Sequence, residues 1–334
     1  MATFKQIRGQ LIKKYTTNPT NPLLGQMWYN NTTGTLKVYR NLGAAWASGP
    51  STNKVGVQRQ AMGPQTANTS AVLAGGTGPG MSPPYSWSAD TETWDSTAWT
   101  TATSLTSGRR AFGSSSQTAT ASVVFGGYTG PWAGGGANLT EDWDGSSWTN
   151  SNNMTTARVY LGGFGSQTSA VGAGGYIPGG ARTEVEEYNG TSWTAGTALP
   201  VAEYGGNGLG VSETAGFMQY PTTASPTAVT KQYDGTSWTD AGTLNTVRNG
   251  AAMAGINTAA LAYGGLGPAP ANTDVTEEYD GSAWTTSPAT LATATVANCS
   301  GFGTSTSAIR AGGDYAATEE YSNPLITTQT VTTS

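Results

Sequence analysis

A unit of roughly 46 residues recurs along this chain, and each copy carries an aromatic–Asp–Gly-type turn closed by a tryptophan. The turn reads Trp94-Asp95-Ser96-Thr97-Ala98-Trp99, then Trp143-Asp144-Gly145-Ser146-Ser147-Trp148. It returns at Tyr188-Asn189-Gly190 with Trp193, at Tyr233-Asp234-Gly235 with Trp238, and at Tyr279-Asp280-Gly281 with Trp284. A fixed period of this size belongs to propellers and solenoids, in which one supersecondary unit buries its apolar face only against its neighbours. Most of the prominent residues therefore build the repeat, and function is to be sought where the copies disagree.

Within a unit, four short runs rich in Val, Tyr, Trp and Thr are separated by Gly, Asn and Asp, as between Ala157 and Leu199. Such runs read as strands, and the Asn-Gly and Asp-Gly pairs suit tight hairpins in which positive φ is cheap. Four antiparallel strands make one propeller blade. Arg59, Arg110, Arg158 and Arg248 each stand 16 residues ahead of a Gly-Gly pair, at Gly75, Gly126, Gly174 and Gly264. In the sixth unit Val296 takes the Arg position, and in the fourth Glu203 takes it with Gln219-Tyr220 in place of the glycines. The stretches from the first glycine to the closing tryptophan (19 to 24 residues) and from tryptophan to the next Arg position (10 to 13) vary. Naming the strands a to d, these contain the b–c and d–a loops, which leave an up-and-down blade on one face. Variation concentrated there points to recognition.

There are six such units and, with Trp46, six closing tryptophans, so a six-bladed propeller is expected over residues 36–330. The last unit lacks its tryptophan, and the segment around Ala45-Trp46-Ala47 (within 36–50) supplies the missing outer strand, removing two exposed sheet edges. Leu36-Lys37-Val38-Tyr39 also reads as a third strand and competes with Glu319-Glu320-Tyr321; the sequence leaves both pairings open. Residues 1–35 form an arm or hairpin, broken by Pro19 and Pro22, and 331–334 a short tail.

Composition removes several function classes. Histidine is absent, which takes away the commonest general base and transition-metal ligand. A single cysteine, Cys299, excludes an internal disulfide and a Cys-based zinc site and reads as a small buried residue. A net charge of −5 without a Lys/Arg cluster argues against nucleic acid. No apolar run reaches the length of a membrane span, and the N-terminus lacks the apolar core of a signal peptide. The paired acids Glu186-Glu187, Glu277-Glu278 and Glu319-Glu320 are strand neighbours facing opposite sides, unlike the two carboxyls a glycosidase aims at one bond. Their recurrence calls for a structural partner, the recurring Arg. The turn Asp residues offer one carboxylate each, too few for calcium. No cofactor, metal or catalytic residue is expected.

The Gly174-Gly175, Glu186-Glu187-Tyr188 and Trp193 pattern, with its equivalents, resembles kelch repeats over about residues 47–330. Asn21-Pro22-Leu23-Leu24-Gly25-Gln26-Met27-Trp28-Tyr29-Asn30, followed by Gly34 to Tyr39, resembles a segment common in bacteriophage tail-fibre and other virion proteins. With Phe4-Lys5-Gln6-Ile7-Arg8-Gly9 ahead of it, the arrangement is similar to structural proteins of marine tailed phages, cyanophages especially. The resemblance implies a non-enzymatic virion protein, made in the host cytoplasm, present in multiple copies and docked on other virion proteins through the arm. Phe4, Lys5, Ile7, Arg8, Trp28 and Tyr29 would carry that docking. Aromatics outside the repeat register (Tyr85, Trp87, Tyr128, Trp132, Tyr176 and Tyr220) make the variable face a candidate surface for host glycan or protein. Trp46, Trp99, Trp148, Trp193, Trp238 and Trp284 are expected to pack between blades. A purely structural or decorating subunit is the alternative, and a polysaccharide-acting propeller enzyme ranks behind both.

Overall fold

The computed structural model describes residues 13–17, 26–40, 43–54, 59–77, 87–130, 136–219, 227–267, 272–295, 300–312, 316–323 and 327–331. Among them there is no helix; the architecture is all-β and propeller-like. The chain divides into two compact units, Met1–Ala44 with Asn323–Ser334, and Ala45–Ser322.

In the smaller unit Lys13–Tyr15 runs parallel to Met27–Asn30, which forms a hairpin with Thr35–Arg40, and Thr327–Val331 adds the fourth strand. Asn30 sets the hairpin: its Oδ1 accepts the N–H groups of Thr32 and Thr33, both at 3.0 Å. This local pairing settles the competition left open by the sequence. Leu36–Tyr39 lies opposite Thr328–Val331 in this sheet and completes no blade, so the boundary expected at 35/36 falls instead at 44/45. Residues 327–330, expected in the propeller, belong here too.

The larger unit contains, among the described residues, six four-stranded antiparallel sheets. They are Gln60–Met62, Ala71–Ala74, Thr91–Trp94, Trp99–Ala102; Gly113–Thr118, Ala121–Phe125, Thr140–Trp143, Trp148–Ser151; and Gly162–Ser166, Ser169–Ala173, Val185–Tyr188, Trp193–Ala195. The others are Asn207–Gly210, Gly216–Gln219, Thr227–Tyr233, Trp238–Arg248; Ala252–Ile256, Ala259–Tyr263, Thr273–Tyr279, Trp284–Thr295; and Ser300–Gly303, Ser307–Ala311, Thr318–Ser322, with Ala45–Gly49 as outer strand. In that last sheet Trp46 faces Tyr321.

The turn before the outer strand of the first five sheets is built by its acid or amide. Asp144 Oδ1 accepts the N–H groups of Ser146 (2.8 Å) and Ser147 (2.7 Å), and Asp95, Asn189, Asp234 and Asp280 do the same. Gly145 follows at φ 95°, where a side chain would be strained. The Asp carboxylates are held below their ordinary value by these donated bonds.

Apolar clusters join neighbouring sheets, and that is where the tryptophans sit. Trp193 packs on Phe125 of the preceding sheet (4.8 Å between centroids) and donates its indole N–H to Thr140 Oγ1 at 2.9 Å. Trp148 reaches Thr91, Trp284 reaches Thr230 and Trp46 reaches Thr276 in the same way, while Trp238 donates to the Thr197 carbonyl. Trp99 packs with Phe302, Ile309 and Ala311 of the last sheet, though its N–H finds no acceptor. A narrow cavity is lined by the first strands of all six sheets, through Gln60, Ser114, Gly163, Gly208, Met253 and Gly301 among others. Its volume of about 50 Å³ holds roughly three to five waters and no sugar.

An ion-paired clamp recurs beneath the loops. Arg158 donates to Glu186 (2.9 Å) and to the carbonyls of Gly174 (2.7 Å) and Glu184 (2.6 Å), and Glu186 accepts the Thr155 N–H (2.6 Å). Arg59–Glu92, Arg109–Glu141, Arg248–Glu277 and Arg310–Glu319 repeat it, all buried. Two sequence assignments need correction. In the second unit Arg109, not Arg110, is the clamp: the Gly113–Thr118 strand carries an extra residue, Gln117, opposite the Ala121/Ser122 step, so its unit is one residue longer. In the sixth, the guanidinium comes from Arg310 on the second strand, which reaches the Gly312 and Ala317 carbonyls from the other side.

Candidate functional site

Above these clamps the d–a and b–c segments meet in short backbone bridges, Arg110 with Tyr128 and Val159 with Tyr176. Neighbouring units are tied by the Tyr160 N–H to the Ala111 carbonyl (2.7 Å) and the Gly205 N–H to the Tyr160 carbonyl (2.7 Å). This frame presents a continuous row of rings: Trp87 to Tyr128 (6.3 Å), Tyr128 to Tyr160 (5.9 Å), Tyr160 to Tyr204 (6.2 Å) and Tyr204 to Tyr176 (5.5 Å). The row crosses from the first unit to the fourth. The Arg110 guanidinium lies 4.4 Å from the Trp87 centroid and 5.2 Å from that of Tyr128, a cation–π sandwich that keeps a positive group at one end.

One backbone position in the row departs from the repeat. Two residues after the clamp position the chain turns left-handed in four units: at Gly205 (φ 77°) and Gly250 (φ 63°) in the fourth and fifth, but at Ala111 (φ 52°) and Tyr160 (φ 53°) in the second and third. Glycine adopts that conformation freely, whereas a tyrosine is strained there by about 1–2 kcal/mol. The chain thus tolerates strain at Tyr160, whose ring joins the two halves of the row.

Burial grades along the row. Trp87 (8% exposed) and Tyr128 (6%) are nearly covered, Tyr160 and Tyr204 are half-buried, and Tyr176 is exposed at 36%. The Trp87 indole N–H donates to the Gly130 carbonyl at 2.8 Å. Burial, followed by the neighbouring Tyr160, raises the Tyr128 hydroxyl above its ordinary value against the opposing pull of Arg110, so it stays protonated. Beside Tyr176, Arg182 and Glu184 form a half-exposed ion pair.

Of the six aromatics singled out in the sequence, the structure brings together Trp87, Tyr128 and Tyr176; Tyr85, Trp132 and Tyr220 lie outside the described residues, as does Cys299. Sequence reasoning missed Tyr160 and Tyr204 and assigned Arg110 to the clamp. The signal was available: all three stand one or two residues after a clamp position, just ahead of the first strand. For the docking arm, Trp28 is fully enclosed and cannot itself touch a partner, a correction to its expected role; Tyr29 is half-buried, and Phe4, Lys5, Ile7 and Arg8 lie outside the described residues.

The carboxylates are otherwise engaged. The first acid of each pair holds the clamp Arg, and in three units the second accepts a tyrosine hydroxyl from the next unit: Tyr233 to Glu187 (2.5 Å), Tyr321 to Glu278 (2.7 Å) and Tyr188 to Asp142 (3.1 Å). Among the described residues no group of three or more His, Cys, Asp or Glu could hold a metal ion.

No family model matches the sequence, and no curated protein matches it. The fold is similar to a solved structure described as that of YjhT, with a TM-score of 0.65 at 13% identity over 84% of this chain and 99% of that one. At that identity the likeness is one of fold alone.

Proposed function

We propose that the larger unit is a closed six-bladed kelch-like propeller and that the protein is a non-enzymatic component of a tailed-phage virion, using the aromatic row to hold host surface glycan. The closed reading is supported by the cavity lined from all six sheets and by the packing of Trp99 against the last sheet. The virion reading rests on the resemblance of residues 21–39 to tail-fibre segments.

The observation that carries the recognition reading is Tyr160, held in a strained conformation where sister units use glycine, with its ring bridging Tyr128 and Tyr204. Strain concentrates where a site requires it. A row of phenol rings spaced 5.5–6.2 Å apart suits the apolar faces and hydroxyls of successive sugars in a chain. Binding of the purified protein to host envelope polysaccharide, measured by calorimetry and compared with Tyr160→Gly and Tyr204→Ala, tests the reading. Binding lost in both variants supports it; a protein that binds no host polysaccharide, or variants that bind equally well, refutes it.

The near-complete burial of Trp87 and Tyr128 leaves Tyr160, Tyr204 and Tyr176 as the accessible part of the row, and in a second reading that part packs against another virion subunit. Imaging the intact particle separates the two: an outward row fits recognition, a covered row fits a decorating subunit.

A further inference from the structure

The fourth unit carries the clamp with its charges exchanged. The Glu203 carbonyl accepts the Gly175 N–H as the Arg158 carbonyl accepts that of Gly127, so Glu203 occupies the clamp-Arg position. Lys231 faces Met218 two residues before Tyr233, as Glu186 faces Gly172 two residues before Tyr188, so Lys231 occupies the clamp-Glu position. The third partner has changed with them. In the second, third and fifth units the residue three before the Arg (Thr106, Thr155, Asn245) donates its N–H to the clamp carboxylate; here that residue is Pro200, which has none to give.

The exchanged pair does not close. The Lys231 ammonium pairs with Asp240 at 2.6 Å, and Glu203 Oε2, on a residue 5% exposed, has no hydrogen-bond partner. The other charges nearby are committed: Arg182, bridged to Glu203 through the backbone, holds Glu184, and Arg158 one unit back holds Glu186. Gln219, on the adjacent strand, carries no charge. An ionised carboxylate in this place would be a buried charge whose Oε2 accepts no hydrogen bond, with Lys231 drawn off to Asp240.

We propose that Glu203 makes the fourth sheet a proton-responsive element, packed as seen when the carboxyl is protonated and loosened when it ionises. Burial raises the group from 4.5 to about 7, with Lys231 opposing. The folded state therefore releases this proton reluctantly: stability is full below 4.5, falls as pH rises toward 7, and is flat above. Tyr204 follows Glu203 directly and its ring packs at a tilt on Tyr160 and edge-on to Tyr176, so loosening would reach the aromatic row; that consequence rests on the recognition reading, whereas the stability effect does not.

The test compares urea unfolding of the full-length protein with that of Glu203→Gln, an isosteric neutral mimic, between pH 4.5 and pH 8. Other titrating groups cancel in the difference. With values of 4.5 free and about 7 folded, the unfolding constant of the parent should rise relative to the variant roughly a hundredfold over that range. A relative change under about threefold overturns the proposal. Exchanging the pair back provides a second arm. Glu203→Arg and Lys231→Glu alone each place like charges together and should destabilise, and the double variant should recover stability and lose the pH dependence. A double variant no better than the worse single overturns the assignment of the two positions. Both arms read stability, so their failure is distinct from failure of glycan binding.

Discussion

Tyr160 offers a test in which backbone and ring can be separated. Replacing it with Ala keeps a Cβ in the left-handed region and removes the ring; replacing it with Gly removes both. At an ordinary helical or extended position Gly is less stable than Ala by about 0.5–1 kcal/mol, through unfolded-state entropy. At φ 53° the left-handed strain of about 1–2 kcal/mol is relieved only in the Gly variant. Tyr160→Gly should thus exceed Tyr160→Ala in stability by about 0.5–1 kcal/mol, the reverse of the usual order. Both variants lose two ring pairs, with Tyr128 and Tyr204, worth about 0.5–1.5 kcal/mol each. Urea unfolding at fixed pH and ligand titration measure the two effects independently. Gly less stable than Ala would show that the backbone is not strained there, and the argument from strain to function would fall with it.

Arg158→Met should cost about 3–5 kcal/mol in urea unfolding, because it strands the buried Glu186 carboxylate and frees the Gly174 and Glu184 carbonyls; a loss under 1 kcal/mol would mean that the clamp does not hold the loop roots. Trp193→Phe removes the bond to Thr140 and should cost about 1–3 kcal/mol, read in the same assay. Asp144 is held below its ordinary value of 3.8, so its contribution is present above that pH and is lost as pH falls through and below it. Asp144→Asn, the residue the third unit already uses at Asn189 with Thr191 and Ser192, should keep the turn and flatten that part of the acid unfolding profile; an unchanged profile would contradict the turn's role in it.

The repeat itself was legible because strand runs and turn chemistry recur at one period, and five Asx turns stand where the aromatic–Asp/Asn pairs are. Register inside the units was less so. Counting back 16 residues from Gly126 lands on Arg110, and only the extra residue Gln117, opposite the Ala121/Ser122 step, shows that the equivalent is Arg109. A guanidinium is long enough to reach one target from two strands, which is why Arg310 can stand in for the Arg that position 296 lacks. The exchanged charges of the fourth unit looked like drift in the sequence, since Pro200, Glu203 and Lys231 make sense only as a set. The aromatic row was half-visible: Tyr128 and Tyr176 directly follow Gly-Gly pairs and Trp87 stands in the loop after another, but Tyr160 and Tyr204 arrive from a different strand end and meet them only in space.

The outer strand of the last sheet has a consequence for how the chain is made. Ala45–Gly49 pairs with Thr318–Ser322, and its partner emerges about 270 residues later. At a synthesis rate of about 5–20 residues per second, this strand waits roughly 14–55 s before its pairing surface exists. Until then Ala45–Gly49 exposes unpaired backbone, the surface that invites strand exchange with other nascent copies. A lesion that stalls or truncates synthesis before Thr318 should therefore be felt as aggregation rather than as the loss of one sheet.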